Sequence, residues 1–110
     1  MLNNVDLPQK EIDLNSLVFI ERYVTSLLRF DLLSYFGNNP NYQQSAMEIA
    51  NHLNSSLKSV RSELGDLSLL GLIQKSSATE PPTYQLTDHP QLRSDIIVFA
   101  QKHTQVKALD

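Results

Sequence analysis

Cysteine, glycine and basic charge are all scarce in this chain. The absence of cysteine excludes disulfides, thiolate metal ligands and cysteine nucleophiles. The three glycines, Gly37, Gly65 and Gly71, lie too far apart to form a loop that cradles a phosphate. Twelve acidic residues against nine basic ones give a net charge of −3, so any binding of nucleic acid must depend on a local basic patch.

Long hydrophobic runs are missing as well. No apolar stretch approaches the roughly 20 residues that a membrane-spanning helix requires. The chain starts Met1-Leu2-Asn3-Asn4, which lacks the basic start of a secretory signal. We therefore expect a cytoplasmic protein that does not contact a membrane.

The residues that are present suffice for one hydrophobic core. The 110 residues are 41% apolar and 19% charged, which is typical of a globular domain. A domain of this size buries roughly two thirds of the surface of its unfolded chain. The distribution of apolar residues predicts a flexible N-terminal arm at 1–12, a single domain at 13–104 and a polar tail at 105–110.

The segment from Asp13 to Phe36 is predicted to be helical. It contains no proline or glycine, and its apolar residues recur every three or four positions. These residues are Leu14, Leu17, Val18, Val24, Leu28, Leu32 and Tyr35. A break is expected at Thr25-Ser26, where either side chain would cap a new helix. Gly37 is expected to close that helix at its C-terminus.

A second apolar row follows the same segment, at Leu27, Phe30, Leu33 and Phe36. A helix that is apolar on more than one side is covered on more than one side. The extra face is therefore either buried within the monomer or in contact with another subunit. The sequence leaves both alternatives open.

A short helix and a tight turn are predicted next. Ser45 and Glu48 fit a capping box, in which each side chain binds the backbone N–H of the other. A helix from residue 46 to about residue 53 follows, and Asn54-Ser55-Ser56 then turns the chain.

A second helix begins after this turn. Ser56 is expected to cap it, the helix runs to about Leu70, and Gly71 closes it. An apolar stripe is expected to face the core and consists of Leu57, Val60, Leu64 and Leu67. Another face carries Lys58, Arg61 and Ser62.

Two short strands and a last helix complete the predicted fold. Residues 72–76 and 83–86 have the pattern of strands, joined by a turn that contains two prolines. A helix is expected over about 90–103, with Asp88 as its N-cap and Gln91 as the capping-box partner.

The order of motifs between residues 49 and 73 resembles the winged helix-turn-helix of bacterial transcriptional regulators of the ArsR/MarR type. The motifs that carry the resemblance are Ile49-Ala50, Leu53 to Ser56, Val60, Leu64, Leu67 and Gly71-Leu72-Ile73. The resemblance extends from about Leu28 to Phe99 and implies a mainly α fold with a small β-hairpin wing. It also implies a transcriptional regulator that binds double-stranded DNA as a homodimer paired through its terminal helices.

The resemblance places DNA contacts on the second helix of the pair and on the wing. The expected contact residues are Ser56, Lys58, Ser59, Arg61, Ser62 and Lys75. Arg61 is expected to read a guanine through a bidentate contact, because the first turns of a helix in the major groove face the base edges. Ser56, Lys58 and Lys75 are expected to bind phosphates, which positions the helix without reading sequence.

Departures from the family pattern favour a second hypothesis. Regulators of this type often have basic residues where this chain has Ser62 and Gly65, and several more in the wing, where this chain has Lys75. Between residues 55 and 76 the basic residues outnumber the acidic ones by one. Under the alternative, the basic residues are an ordinary solvated helix face, and the chain is a winged-helix module for protein–protein contact without DNA binding.

Catalytic and metal-binding sites are not predicted. Glu48 and His52 are four residues apart on one helix, but a metal site needs at least one more ligand and none is indicated nearby. His89 and His103 lie near helix ends, and no serine, histidine and acid form a nucleophile motif. We therefore expect no enzyme activity and no cofactor, and the sequence indicates neither an operator nor a small-molecule effector.

Overall fold

The structure, a computed structural model, describes residues 14–109, with the side chains of all of them except 15, 16 and 104–109. The expected arm at 1–12 lies outside the described residues. Within them the chain forms α1 (Leu14–Tyr23), α2 (Leu27–Asn38), β1 (Gln44–Ser45), α3 (Ala46–Leu53), α4 (Leu57–Leu69), β2 (Ile73–Ser76), β3 (Thr83–Leu86) and α5 (Pro90–Leu109). The prediction of a mainly helical chain with a short β-hairpin is therefore confirmed.

The predicted break between the first two helices is confirmed, but the end of α2 is not where it was expected. Ser26 caps α2, and its Oγ accepts a hydrogen bond of 3.1 Å from the backbone N–H of Arg29. Gly37 lies inside α2 rather than at its cap. A Cβ atom added there would stand 2.5 Å from both Ala100 Cβ and Ile96 O of α5. Glycine is required at this point because the two helices touch.

The predicted capping box and turn are confirmed. Ser45 Oγ accepts the N–H of Glu48 at 3.2 Å, and Glu48 Oε1 accepts the N–H of Ser45 at 2.9 Å. The chain leaves α3 at Asn54, whose φ of 59° is left-handed, a conformation that asparagine adopts more readily than most residues. Ser56 then caps α4, and its Oγ accepts the N–H of Ser59 at 3.1 Å.

α4 leads directly into the sheet. Gly71 has a φ of +81°, and the N–H of Leu72 donates to Leu67 O at 3.0 Å, which is the Schellman closure of a helix. β2 and β3 form an antiparallel hairpin in which Ile73 pairs with Leu86. The sheet has a third strand, β1, on the other side of β3. This strand was not predicted, because two residues are too short to show an alternating pattern.

The start of α5 differs from the prediction. His89 caps the helix in place of Asp88, since His89 Nδ1 accepts the N–H of Leu92 at 3.3 Å. Gln91 forms no capping box and donates instead to Asp95 Oδ1 at 2.8 Å. The N-terminal signal was therefore placed one residue too early.

The end of α5 also differs from the prediction. The helix continues to Leu109, so most of the expected polar tail at 105–110 is helical. No glycine or proline occurs in that part of the sequence to stop it. No helix within residues 14–109 is both long enough and apolar enough to cross a membrane.

The core lies where α2 packs on α5 and faces α4 and the sheet. The predicted inward stripe of α4 is confirmed by Val60, Leu64 and Leu67, which are fully buried. The second apolar row of α2 is divided. Phe36 is buried within the monomer, whereas Leu27 is 82% exposed. Most of the extra apolar face therefore serves the core of this chain.

Candidate nucleic-acid interface

The outward side of α4 carries five of the six residues expected to contact DNA. The side chains of Lys58, Ser59, Arg61 and Ser62 are exposed, and so is that of Ser56 at the N-cap. The buried stripe of α4 fixes the rotation of the helix against the core. The polar residues are therefore held on the side that faces away from the protein.

The two flanks of α4 differ in charge. Arg61 lies on the flank that borders α3 and the hairpin, and Glu63 and Asp66 lie on the flank that borders α2. Positions 61 and 63 are about 200° apart around the helix axis, since each residue turns the helix by about 100°. Ser62 lies opposite the buried stripe, on the outermost line of the helix, and Lys58 and Asp66 lie about 40° to either side of it.

Arg29 of α2 binds both carboxylates of α4. Its Nε lies 2.9 Å from Glu63 Oε1, and its Nη2 lies 3.4 Å from Asp66 Oδ2. The side chains of Arg29, Glu63 and Asp66 are 11%, 22% and 55% exposed. Both negative charges on this part of α4 are therefore paired on the side away from Arg61.

Sequence analysis missed the cluster of Arg29, Glu63 and Asp66. The partners are 34 and 37 positions apart in the chain, so no local pattern joins them. A weak signal was present, because a lone arginine in the apolar sequence of α2 requires a partner once it is buried. Glu63 and Asp66 are three residues apart, which places them on one helix face.

A groove beside Arg61 was also not predicted. It lies between the start of α3, α4 and the turn of the β2–β3 hairpin. Its lining residues are Ser45, Ala46, Met47, Glu48, Asn51, Arg61, Pro81, Pro82 and Tyr84. The salt bridges within the described part of the chain involve Arg29 and not Arg61. Arg61 is thus an exposed cation at the border of a partly apolar groove.

Lys75, the sixth expected contact, lies on β2. It is exposed and stands directly opposite Tyr84 in the hairpin. Residues opposite each other in an antiparallel pair project from the same face of the sheet. Because Tyr84 lines the groove that Arg61 borders, Lys75 belongs to the sheet face on the same side as Arg61. The structure therefore places the lysine of the hairpin and the arginine of α4 on one side of the protein.

Tyr35 connects α2 to the strand that precedes α3. Its hydroxyl donates a hydrogen bond to Gln44 Oε1 in β1, next to the capping residue Ser45. Burial raises the pKa of Tyr35 above its ordinary value of 10.0, and the negative charges of ionised Tyr42 and Glu48 raise it further. The hydroxyl therefore keeps its proton to a higher pH than that of an ordinary tyrosine, and its hydrogen bond joins β1, which leads into α3, to α2.

The histidines have structural neighbours. Among the described residues, no three His, Asp or Glu side chains come close enough together to hold a metal ion. The carboxylate of Glu48 belongs to the capping box, and the ring of His52 packs on Tyr35 with 4.8 Å between the ring centres. His103 packs on Phe99 with 4.4 Å between the ring centres.

Comparison with known proteins identifies no relative: no protein-family model matches this chain, and no curated protein matches its sequence. Its function must be inferred from its own residues. The most informative of these are on α4 and on the elements that border it.

Proposed function

We propose that this protein is a DNA-binding transcriptional regulator of the cytoplasm, with α3 and α4 as its helix-turn-helix and the β2–β3 hairpin as its wing. The observation that carries the proposal is the charge asymmetry of α4. Lys58 and Arg61 are exposed on it, while Glu63 and Asp66 are both paired with Arg29 of α2. This arrangement provides the local basic patch that a chain with a net charge of −3 needs in order to bind DNA.

In the proposed complex the first two turns of α4 enter the major groove. Arg61 donates two hydrogen bonds to a guanine, and Lys58 and Lys75 bind phosphates. Ser56 Oγ already accepts the N–H of Ser59, but its hydroxyl hydrogen remains available to donate to a phosphate oxygen. No metal, cofactor or catalytic step forms part of the proposal.

The proposal includes a homodimer formed through the terminal helices. α1 packs Phe19 on Phe99 of α5, with 5.2 Å between the ring centres, and leaves Leu14, Leu17 and Val18 exposed on its other side. A second copy that covers this apolar side relates the two α4 helices by a two-fold axis. The DNA site then contains two half-sites about 34 Å apart, or roughly 10 base pairs.

Light scattering over a range of protein concentrations tests the dimer. Leu17→Glu is expected to shift the protein towards the monomer, because it places a charge in the apolar contact. Leu69→Glu makes the same change at a leucine of α4 that is also exposed, and it is expected to leave the dimer intact. A wild-type protein that remains monomeric throughout would remove the dimer from the proposal.

Selection from random-sequence duplexes at low salt, followed by affinity measurements over a range of salt, tests DNA binding. The logarithm of the affinity is expected to fall by about 0.9 per phosphate contact for each tenfold rise in salt. The selected sequences are expected to contain paired half-sites. Absence of binding at low salt would refute DNA recognition.

Two matched variants show whether α4 carries the recognition. Arg61→Gln is expected to weaken binding to the selected site by about 1–3 kcal/mol and to relax the preference at one base position. Arg22→Gln removes the same charge from an exposed position on α1. Because Arg22 lies one helical turn after Val18, light scattering first checks that this variant dimerises like the wild type, and its affinity is then expected to be nearly unchanged. Equal losses in the two variants would mean that binding follows overall charge rather than α4.

A protein-contact module is the second candidate, and the groove beside Arg61 favours it. Met47 is exposed in this groove, which two prolines and the largely buried Tyr84 also line. Methionine, aromatic residues and arginine are enriched at the centres of protein interfaces. Capture of a specific protein partner that resists salt, survives Lys58→Gln and is lost with Met47→Ser would favour this function over DNA binding.

A further inference from the structure

We propose that Arg29 is a positioning residue for DNA binding, acting on the proposed interface through Glu63 and Asp66 without itself touching DNA. The inference rests on the proposed function. It assigns a task to the one basic side chain of α2, which the expected set of DNA contacts does not include.

The geometry of the cluster is that of a clamp between two helices. Arg29 uses two different nitrogens for two different carboxylates, at 2.9 Å and 3.4 Å. Its own backbone N–H is fixed by the hydrogen bond to Ser26 Oγ, so the arginine is held at the first turn of α2. Because Glu63 and Asp66 lie one helical turn apart, the clamp fixes the rotation of α4 as well as its distance from α2.

Fold stability alone gives a weak reason for three charged groups at this contact. The pairing of partly buried charges is largely offset by the loss of their hydration, and apolar residues of similar size often stabilise a contact between elements as well or better. The charge of the cluster has a clearer effect on the exposed side of α4. At a rise of 1.5 Å per residue, positions 58 and 61 are separated from positions 63 and 66 by about 3–12 Å along the helix axis. This range is comparable with the screening length of about 10 Å at 0.1 M salt.

Without Arg29, the two uncompensated carboxylates of Glu63 and Asp66 would therefore repel any phosphate that approaches α4. With Arg29 in place the cluster carries a net charge of −1 instead of −2, so its repulsion of phosphate is weaker. Arg29 thus preserves the positive potential of α4 by compensating one of the two negative charges beside it.

The test is a mutational cycle in the full chain, with affinity for the selected duplex as the readout. Arg29→Met is expected to weaken binding about tenfold at low salt, and by less at high salt because screening removes the repulsion. The same change in a background of Glu63→Gln and Asp66→Asn is expected to cost clearly less, because a positive charge is lost in both backgrounds but the ion pairs that hold α4 exist only in the first. This coupling is the signature of a residue that acts through the two carboxylates.

Arg29→Lys keeps the charge but loses the forked geometry, and it is expected to fall between wild type and Arg29→Met. It also serves as the working variant if Arg29→Met does not fold, as judged by circular dichroism and thermal unfolding. An equal loss from Arg29→Met in both backgrounds would overturn the inference, as would wild-type affinity of a folded Arg29→Met protein. In both of these cases loss of binding with Arg61→Gln leaves the proposed function standing, whereas absence of binding by the wild type refutes both.

Discussion

Gly37 and Gly65 both lie inside helices, yet a methyl group would have opposite effects at the two positions. At Gly37 it would collide with the backbone and side chain of α5, and at Gly65 on α4 nothing lies within 4 Å. The α2–α5 contact is thus filled up to the backbone, whereas the outer side of α4 is open. Internal packing therefore determines the sequence at the α2–α5 contact, whereas the outer side of α4 is free to match an external partner.

The largest expected effect is at the contact between α2 and α5. Ile96→Ala in α5 is expected to lower the free energy of unfolding by about 2–5 kcal/mol, because the side chain is fully buried and its removal leaves a cavity. Urea unfolding measures the change. Val98→Ala on the same helix is the control, since Val98 is 38% exposed and its truncation is expected to cost under about 1 kcal/mol. Similar losses in the two variants would show that the α2–α5 contact is not closely packed.

The next effect addresses the two glycines directly. Gly37→Ala is expected to destabilise the protein by about 1–3 kcal/mol, because overpacking between α2 and α5 outweighs the better helix propensity of alanine. Gly65→Ala is expected to stabilise it by about 1 kcal/mol, because only the propensity changes there. Thermal unfolding of both variants measures the difference in sign. Stabilisation by both substitutions would abolish the distinction between the two regions.

A smaller effect is expected at Tyr35, which joins the two regions through β1. Tyr35→Phe is expected to cost about 1 kcal/mol through the lost hydrogen bond to Gln44. Because folding raises the pKa of Tyr35 above 10.0, its contribution is complete below that pH and is lost as the pH rises through the folded value. The alkaline loss of stability should therefore be shallower in Tyr35→Phe than in wild type.

The control for this prediction is Tyr23→Phe, because Tyr23 lies at the end of α1 and its ring packs on Phe19 rather than on Tyr35. Unfolding in urea at a series of pH values from neutral to strongly alkaline supplies the comparison. Absorbance of the tyrosinate, followed in folded wild type and in Tyr35→Phe, assigns the late titration. An alkaline limb of equal steepness in wild type and Tyr35→Phe would contradict the role given to this hydroxyl.

The smallest expected effect is on the outer side of α4. Lys58→Gln and Arg61→Gln are expected to change the free energy of unfolding by no more than about 0.5 kcal/mol, because both side chains are exposed. Urea unfolding checks this. A loss of several kcal/mol in either variant would show that the residue supports the fold, and its effect on DNA affinity would need another explanation.

The parts of the fold that were predictable from sequence depend on short-range hydrogen bonds. The caps of α3 and α4 join Ser45 to Glu48 and Ser56 to Ser59, so each lies within a window of four residues. Such signals are visible in a linear sequence because the donor and acceptor positions are fixed by helix geometry. The exposure of Lys58, Arg61 and Ser62 on α4 follows from the same reasoning, since the apolar stripe determines which side faces outward.

The parts that were not predictable depend on contacts between distant positions. Gly37 has the pattern of a helix stop until α5 is known to lie against it. Aspartate is among the favoured N-cap residues and histidine is not, so residue type alone favours Asp88 as the cap of α5. The choice falls on His89 because its N–H donates to Thr87 Oγ1 at 3.1 Å, and Thr87 is held in the protein by a hydrogen bond from its N–H to Leu72 O. Tertiary packing decides these cases, and local propensity cannot.

Ser45 belongs to two structures at once, since it pairs with Thr83 in the sheet and caps α3. Ser45 is therefore both the last residue of β1 and the N-cap of α3, which prevents the hairpin from moving independently of α3. Any force that bends the hairpin against a bound molecule passes through residues 44–45 into the first turn of α3. The β2–β3 hairpin, α3 and α4 thereby form one rigid unit.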